Sequence, residues 1–124
     1  MDRTRRPFTV ELDAVSVPED RLLREPGPRT DELLALVLAV GAIAAACDAT
    51  GAAEVALERA TAYAKERKQF GKAIDSFQAI KHQCADMAIA VEASRAACRA
   101  ATESLDGDPS EWTKVAAMTS SYVG

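Results

Sequence analysis

Apolar positions repeat with helical spacing through most of residues 30–124. Residues 33–47 are almost entirely apolar, which predicts a helix that is buried on most sides. Residues 54–68 mix charged and apolar positions and should lie closer to solvent. We predict one helix over residues 30–68, starting after Thr30. Its buried seam would follow positions three and four apart: Leu33, Val37, Val40, Ala44, Cys47 and Gly51.

Two further helices are indicated downstream. The second should begin near Asp75 or Ser76, either of which can cap it. The third has Asp108 as its cap and Pro109 at its first position. The seam of the second helix consists of Phe77, Ile80, Cys84, Met87, Val91, Ser94 and Cys98. Together these patterns predict an all-α, antiparallel up-down helical bundle.

The first 29 residues follow a different pattern. Alternation between Phe8 and Val17 indicates one bulged strand or two short strands, which Pro18 ends. Two strand-like pieces cannot bury a face alone. We therefore interpret residues 1–29 as a short β remnant, the end of a β domain with its connector, and residues 30–124 as an incomplete helical bundle domain. The third helix pattern continues to the last residues, so we expect that the chain ends within a helix.

Composition narrows the class of protein. The chain has 124 residues, 48% hydrophobic and 5% aromatic, which is enough for one domain with a modest core. A net charge of −4 argues against a general nucleic-acid binder. Cations nevertheless cluster locally, and they could simply be a solvated helix end. The cluster consists of Lys65, Arg67, Lys68 and Lys72.

The cysteines and the single histidine give little sign of metal or nucleophile chemistry. Cys47, Cys84 and Cys98 are odd in number and lack metal-ligand spacing, which favours a reduced cytoplasmic setting and a buried, apolar role. We expect no metal site and a structural role for His82. The basic N-terminus is not followed by the apolar core of a signal peptide. Residues 33–47 are shorter than the roughly 20 residues that span a bilayer, so we expect no membrane span.

Residues 63–78, with the sequence YAKERKQFGKAIDSFQ, carry the strongest candidate site. A break between two helices would place Arg67, Gln69, Phe70 and Gln78 around one corner. Gly71 would provide a left-handed helix cap there. A guanidinium suits a phosphate or diphosphate well. The alternative is an exposed, charged helix end with a core aromatic residue.

Several motifs in order resemble the C-terminal helical domain of acyl-CoA dehydrogenases. They are Tyr-Ala-x-x-Arg-x-Gln-Phe-Gly from Tyr63, then Phe77-Gln78, Ala85-Asp86-Met87 and Arg95. Residues 10–18 also resemble the last strand of that family's middle β domain. The resemblance implies FAD as cofactor, with Arg67 and Gln69 contacting its diphosphate, typically on a neighbouring subunit. It also implies that Phe70 packs against FAD and that Gln78 is a further contact. For Asp86, Glu92 and Arg95 we expect a structural role, with an intrahelical Glu92–Arg95 pair.

The same resemblance implies oxidation of acyl-CoA to trans-2-enoyl-CoA, an electron-transferring flavoprotein as partner, and a homo- or hetero-oligomer, a tetramer. Three of the family's four helices would be present. The family's catalytic glutamate lies beyond the third helix or, in a minority, on the first helix at about Gly41. Many members have a substrate-binding arginine where this chain has Ala42. We therefore expect no catalytic base in this chain and no turnover by it alone. The alternative is a non-catalytic, FAD-supporting subunit of a heteromeric acyl-CoA dehydrogenase.

Overall fold

The computed structural model describes residues 9–22 and 27–123. Its three helices run antiparallel in sequence order, so the predicted all-α up-down bundle is confirmed. They are α1 (Pro28–Glu66), α2 (Gln78–Ser104) and α3 (Pro109–Val123). A small antiparallel hairpin, β1 (Lys68–Gln69) and β2 (Lys72–Ala73), joins α1 to α2. Short 3₁₀ turns cover Glu19–Arg21 and Ile74–Ser76.

Proline and helix-capping residues determine where two of the three helices begin. Pro28 begins α1 directly after Gly27, slightly earlier than predicted, because proline suits the first helical position. Asp108 caps α3 as predicted: its Oδ1 accepts a hydrogen bond from the backbone N–H of Ser110 at 2.9 Å. That bond to the backbone is the main reason why the pKa of Asp108 lies below its usual range.

The start of α2 differs from the prediction. The N-cap is Phe77, in extended conformation and without a side-chain hydrogen bond. Asp75 and Ser76 belong instead to the 3₁₀ turn, where Ser76 Oγ donates to the carbonyl oxygen of Ala73 at 2.6 Å. That turn uses the serine hydroxyl and removes it from a capping position.

Small side chains make the centre of the bundle. Ala101 of α2 is fully buried and meets Ala39 and Ile43 of α1 and Ala116 of α3. Partly buried apolar residues surround this cluster: Ala42, Leu105, Trp112 and Val115. Alanines at the crossing allow the helix axes to approach closely, so α1 can pack against α2 and α3 together.

The predicted seam of α1 is wrong. All six of its positions are exposed, and the buried positions of α1 are Ala39, Ile43, Ala46, Thr50 and Ala64. The first half of α1 is also less buried than predicted, since Val37 and Leu38 are each 65% exposed. A helix that is apolar all round offers no polar contrast to select a face, so the contacts with α2 and α3 select it.

The seam of α2 is largely confirmed. Val91 and Cys98 are buried, and Ile80, Cys84 and Ser94 are half-buried. Two members depart from it, because Met87 is exposed and Phe77 packs at the corner between the helices instead of in the core cluster.

Ion pairs connect α2 internally and to α1. The predicted intrahelical pair is present, with Arg95 Nη1 3.3 Å from Glu92 Oε1. Arg95 also donates from Nη2 to Glu54 of α1, a contact that the sequence pattern did not reveal. The pKa of Arg95 is raised, first by the hydrogen bond to Glu54 and then by the charges of both carboxylates.

The cysteines do not share one environment. Cys98 is buried, Cys84 is half-buried and Cys47 is exposed. The expectation of a buried role is therefore wrong for Cys47, which belongs to the misassigned seam of α1.

The strand predicted between Phe8 and Val17 does not form. Residues 9–18 contain no strand, and Val10 and Leu12 are each more than 70% exposed. A strand needs a partner for its backbone groups, and the described residues provide none for this segment. The only strand pairing in the described ranges is the hairpin between α1 and α2, so the β remnant is not observed; Phe8 lies outside those ranges.

Helix α1 is long and apolar enough to cross a membrane on length and composition alone. An 18-residue window in it has a mean hydropathy of 2.1, and 22% of that window is buried. Core helices of soluble proteins meet the same criterion. Because α1 contacts both other helices and ends in a charged segment, we interpret it as a bundle helix.

Candidate functional site

A two-residue turn forms the tip of the hairpin between α1 and α2. Lys68 pairs with Ala73 and Gln69 with Lys72, which leaves Phe70 and Gly71 as the turn. Both have positive φ angles, +51° and +78°, as in a type I′ turn. Gly71 is therefore left-handed as predicted, but it turns a β-hairpin and does not cap a helix.

Backbone hydrogen bonds attach this hairpin to the end of α1. The N–H of Arg67 donates to the carbonyl oxygen of Tyr63 at 2.9 Å, and the N–H of Ile74 donates to the carbonyl oxygen of Arg67 at 2.8 Å. The second bond extends the strand register by one pair. Directly opposed residues lie on the same face of a hairpin, and successive residues alternate. Arg67, Gln69 and Lys72 therefore belong to one face.

The aromatic residues of the corner support each other at its surface. The rings of Phe70 and Phe77 meet edge to face, with centroids 6.1 Å apart and planes at 84°. Lys72 Nζ lies 4.4 Å from the centroid of the Phe77 ring, a cation–π contact. Phe70 itself remains 91% exposed. An apolar ring that is held in a left-handed turn and left open to solvent is suited to contact another molecule.

The electrostatics of the corner favour an anion. Four exposed cations, Lys65, Arg67, Lys68 and Lys72, face only two nearby carboxylates on the segment, Glu66 and Asp75. In the part of the chain that the structure describes, the Arg67 guanidinium has neither an ion pair nor a hydrogen bond. Its donors are free to form a bidentate contact with a diphosphate. The residues present therefore fit the phosphate groups of a nucleotide cofactor.

The structure brings three of the four candidate residues together at the hairpin. Gln69 and Phe70 belong to the hairpin, and Arg67 connects it to α1, whereas Gln78 is the first residue of α2. Gln78 is exposed and directly follows Phe77, whose ring contacts that of Phe70 in the hairpin.

Sequence reasoning missed the role of Phe77 and the partner of Lys72. Phe77 fell on the apolar spacing of α2 and was assigned to the core, while Lys72 was only one member of the basic cluster. The signal that could have revealed the hairpin is the Phe70-Gly71 pair, flanked on both sides by residues able to pair as strands. It is weak, because a phenylalanine rarely adopts the left-handed region.

Other chemistry is sparse in the described residues. Among residues 9–22 and 27–123, no three histidine, cysteine or carboxylate side chains are grouped so as to hold a metal ion. His82 is exposed on α2. Residues 33–47 of α1 carry no charged side chain; Gly41 in this stretch is exposed and Ala42 half-buried.

Comparison with known proteins identifies the family. The domain family described as acyl-CoA dehydrogenase, C-terminal domain, matches residues 33–123. The chain is 43% identical over 101 residues to acyl-CoA dehydrogenase FadE34 of Mycobacterium tuberculosis, covering 81% of this chain and 13% of that protein. It is 45% identical over 84 residues to the probable acyl-CoA dehydrogenase YngJ of Bacillus subtilis, covering 68% and 22%.

A third relative is named for a different reaction. The chain is 38% identical over 111 residues to CarC of Acetobacterium woodii, a subunit of the caffeyl-CoA reductase–Etf complex, covering 90% of this chain and 29% of that protein. No solved structure matches the chain significantly. The chain thus spans less than a third of the length of these relatives. Its motifs, its helical fold and these similarities together show that it belongs to the acyl-CoA dehydrogenase family, through that family's C-terminal domain.

Proposed function

We propose that this chain supplies the C-terminal helical part of an FAD-dependent acyl-CoA dehydrogenase, and that its hairpin corner binds the diphosphate of FAD. The observation that carries the proposal is the shared face of Arg67, Gln69 and Lys72. By register, two cations and an amide fall on one side of a hairpin with a two-residue turn, and the aromatic ring of Phe70 in that turn is exposed.

Each residue of the corner has a distinct task in this proposal. Arg67 donates two parallel hydrogen bonds to phosphate oxygens, and Gln69 adds a neutral donor beside it. Phe70 presents an apolar surface to the cofactor, while its contact with Phe77 holds the ring in position. Gln78, at the start of α2, provides a further polar contact. When bound, FAD would supply the redox chemistry of acyl thioester oxidation.

The exposed apolar surface supports assembly with further protein. Leu33, Leu34, Val37 and Leu38 on the first half of α1 are all exposed. A groove of about 440 Å³ between α1 and α3, lined mostly by leucine and alanine, is open along the same surface. Apolar surface of this kind is normally covered in a stable protein. We propose that the remaining parts of the protein and a neighbouring subunit, in a tetramer, cover it.

The parent reaction in this proposal is oxidation of an acyl-CoA thioester to the trans-2-enoyl thioester. Electrons would leave to an electron-transferring flavoprotein, which the similarity to a subunit of a reductase–Etf complex supports. This chain contributes no carboxylate on residues 33–47 that could abstract the α-proton. Purified chain with added FAD should therefore form no enoyl-CoA, which an absorbance assay of thioester oxidation checks directly.

A second candidate function follows from the uncharged stretch of α1, residues 33–47. A subunit without a base or a substrate-binding arginine could serve only to hold the flavin of an active partner. Turnover by the purified full-length homo-oligomer separates the two candidates. Activity of the homo-oligomer supports the enzyme, and activity only after addition of a distinct partner subunit supports the accessory role.

Substitution of Arg67 in the full-length protein tests the cofactor site. Loss of one charged hydrogen-bonding contact costs about 1.5–3 kcal/mol, which corresponds to roughly ten- to hundredfold weaker FAD binding. Arg67→Ala should therefore purify with less flavin, measured as absorbance near the flavin maximum per protein. Arg59→Ala is the matched control, because it removes an exposed arginine of α1 about two turns before the corner and outside the basic cluster. A full complement of flavin in Arg67→Ala would refute the assignment.

A further inference from the structure

The interface between α1 and α2 has a defined antiparallel register. Thr50 Oγ1 on α1 lies 3.5 Å from Cys98 Sγ on α2, and Glu54 bonds Arg95 one turn further along. The step of four residues from Thr50 to Glu54 on α1 therefore corresponds to the step of three residues from Cys98 back to Arg95 on α2. This register predicts which residues oppose each other elsewhere along the interface.

The register brings two cysteines next to each other. Three residues before Thr50 is Cys47, which the register places between Cys98 and Thr102 on α2. In keeping with that position, partial desolvation and then the neighbouring Cys98 thiol raise the pKa of Cys47, whereas the Thr102 hydroxyl lowers it.

Packing around the pair keeps the helices close. Ala46 precedes Cys47 and is 5% exposed, and Ala101 lies between Cys98 and Thr102 and is fully buried. Alanines at such positions give the short axial separation at the lower end of the helix-packing range. A disulfide needs Cα atoms about 4.4–6.8 Å apart. Two thiols at facing positions of an alanine-lined crossing are the setting in which a disulfide can form without large backbone movement.

The two thiols differ in access to solvent. Cys47 is exposed, whereas Cys98 is buried behind it and touches the Thr50 hydroxyl. An oxidant from solvent therefore reaches Cys47 first, and Cys98 is placed to react with the oxidised sulfur of Cys47. Cys84 is nearly four helical turns from Cys98 along α2, and neither of the other two thiols is a described partner of it.

We propose that Cys47 and Cys98 form a reversible oxidation site that cross-links α1 to α2. The Cys47 thiol first loses its proton, and the resulting thiolate attacks an oxygen of a hydroperoxide. The O–O bond breaks, Cys47 becomes a sulfenic acid, and the other oxygen takes up the proton and leaves as water or an alcohol. The Cys98 thiol then attacks that sulfur; the S–O bond breaks, the S–S bond forms and water leaves. Two thiols are oxidised by two electrons in total, and one hydroperoxide is reduced by the same two electrons. A dithiol returns the pair to thiols by exchange.

This site is separate from the proposed cofactor corner. Cys47 precedes Arg67 by 20 residues of continuous helix, which corresponds to roughly 30 Å along α1. The cross-link would hold the two longest helices together at mid-interface and leave the hairpin free. The inference therefore does not depend on the proposed function.

Peptide mapping of the folded chain after treatment with hydrogen peroxide tests the proposal. Trypsin separates the cysteines into residues 30–59, 82–95 and 96–99, so each possible pairing gives a different linked peptide. We expect the link between residues 30–59 and 96–99, with a mass lower by two hydrogens, and its loss on treatment with dithiothreitol. The same chain unfolded in urea is the control, and there all three pairings should appear.

Variants test the order of the two steps. In Cys98→Ser the sulfenic acid at Cys47 should persist and be trapped by dimedone. In Cys47→Ser the buried Cys98 should stay unlabelled. Cys84→Ser should give the cross-link at an unchanged rate.

Three outcomes would overturn the proposal. In the first, the dominant link in the folded wild-type chain includes Cys84. In the second, that chain forms only disulfides between chains. In the third, Cys47 is oxidised to sulfinic acid without any cross-link. Because these readings use the wild-type chain, they hold even if a variant fails to fold.

Discussion

The turn at Phe70-Gly71 leads to the sharpest prediction for this protein. Gly71 has a φ of +78°, a region that costs an L-amino acid roughly 1–2 kcal/mol. A methyl group added at this position would meet no atom within 4 Å. The whole cost of Gly71→Ala is therefore backbone strain in the turn, with no steric clash added to it.

This strain should appear as local opening of the hairpin. The N–H of Ile74 donates a hydrogen bond to the carbonyl oxygen of Arg67. This hydrogen bond is broken when the hairpin opens. A penalty of 1–2 kcal/mol corresponds to a roughly 5- to 30-fold loss of protection in hydrogen exchange at this amide. Exchange of the folded chain, followed by NMR or by mass spectrometry of peptides, measures it. Gly71→Asn should lose less, because asparagine tolerates the left-handed region.

Gly51→Ala is the matched control for the same substitution. Gly51 lies within α1, and a methyl group there also meets no atom within 4 Å. Alanine is up to about 1 kcal/mol more favourable than glycine inside a helix. This variant should therefore raise the urea midpoint of unfolding and leave the Ile74 amide protected. Unchanged protection of Ile74 in Gly71→Ala would show that the turn is not strained in the way described.

Three further predictions concern the bundle. Ala101→Leu should destabilise the chain by about 1–3 kcal/mol in urea unfolding, because the fully buried site has no room for a larger side chain. Asp108→Ala should destabilise α3 at neutral pH and flatten the acid side of the stability profile. The lowered pKa of Asp108 means that its stabilisation is present above its unfolded pKa, near 4, and is lost as pH falls through the folded value. Glu54 and Arg95 should show a favourable coupling in a double-mutant cycle that shrinks with added salt, since both side chains are about 40% exposed.

Each of these has its own control or contrary result. Ala100→Leu, on the exposed side of the same turn of α2, should change stability little; an equal loss in both variants would contradict the packing argument. An acid transition that is identical in wild type and Asp108→Ala would contradict the capping argument. A coupling between Glu54 and Arg95 that is insensitive to salt would point to packing in place of charge.

The sequence alone determined the parts of the fold that depend on local contrast. Asp108-Pro109 marks the start of α3 because proline and a capping carboxylate act within one turn of chain. The α2 seam could be predicted because polar residues separate its apolar ones. The motif around Arg67 and Gln69 likewise identified the candidate site, since those residues are contiguous in the chain.

The tertiary structure decided what local contrast could not. The buried face of α1 could not be predicted from a run of apolar residues, because burial of any face of that helix would be similarly favourable. The packing of Ala39 and Ile43 against α2 and α3 selected the face that is buried. The positive φ of Phe70 is unfavourable for an isolated phenylalanine and arises where the end of α1 must connect to the start of α2. Periodicity reflects only the free energy of transferring each side chain out of water. The choice among equivalent faces and turns depends instead on contacts between residues far apart in the chain.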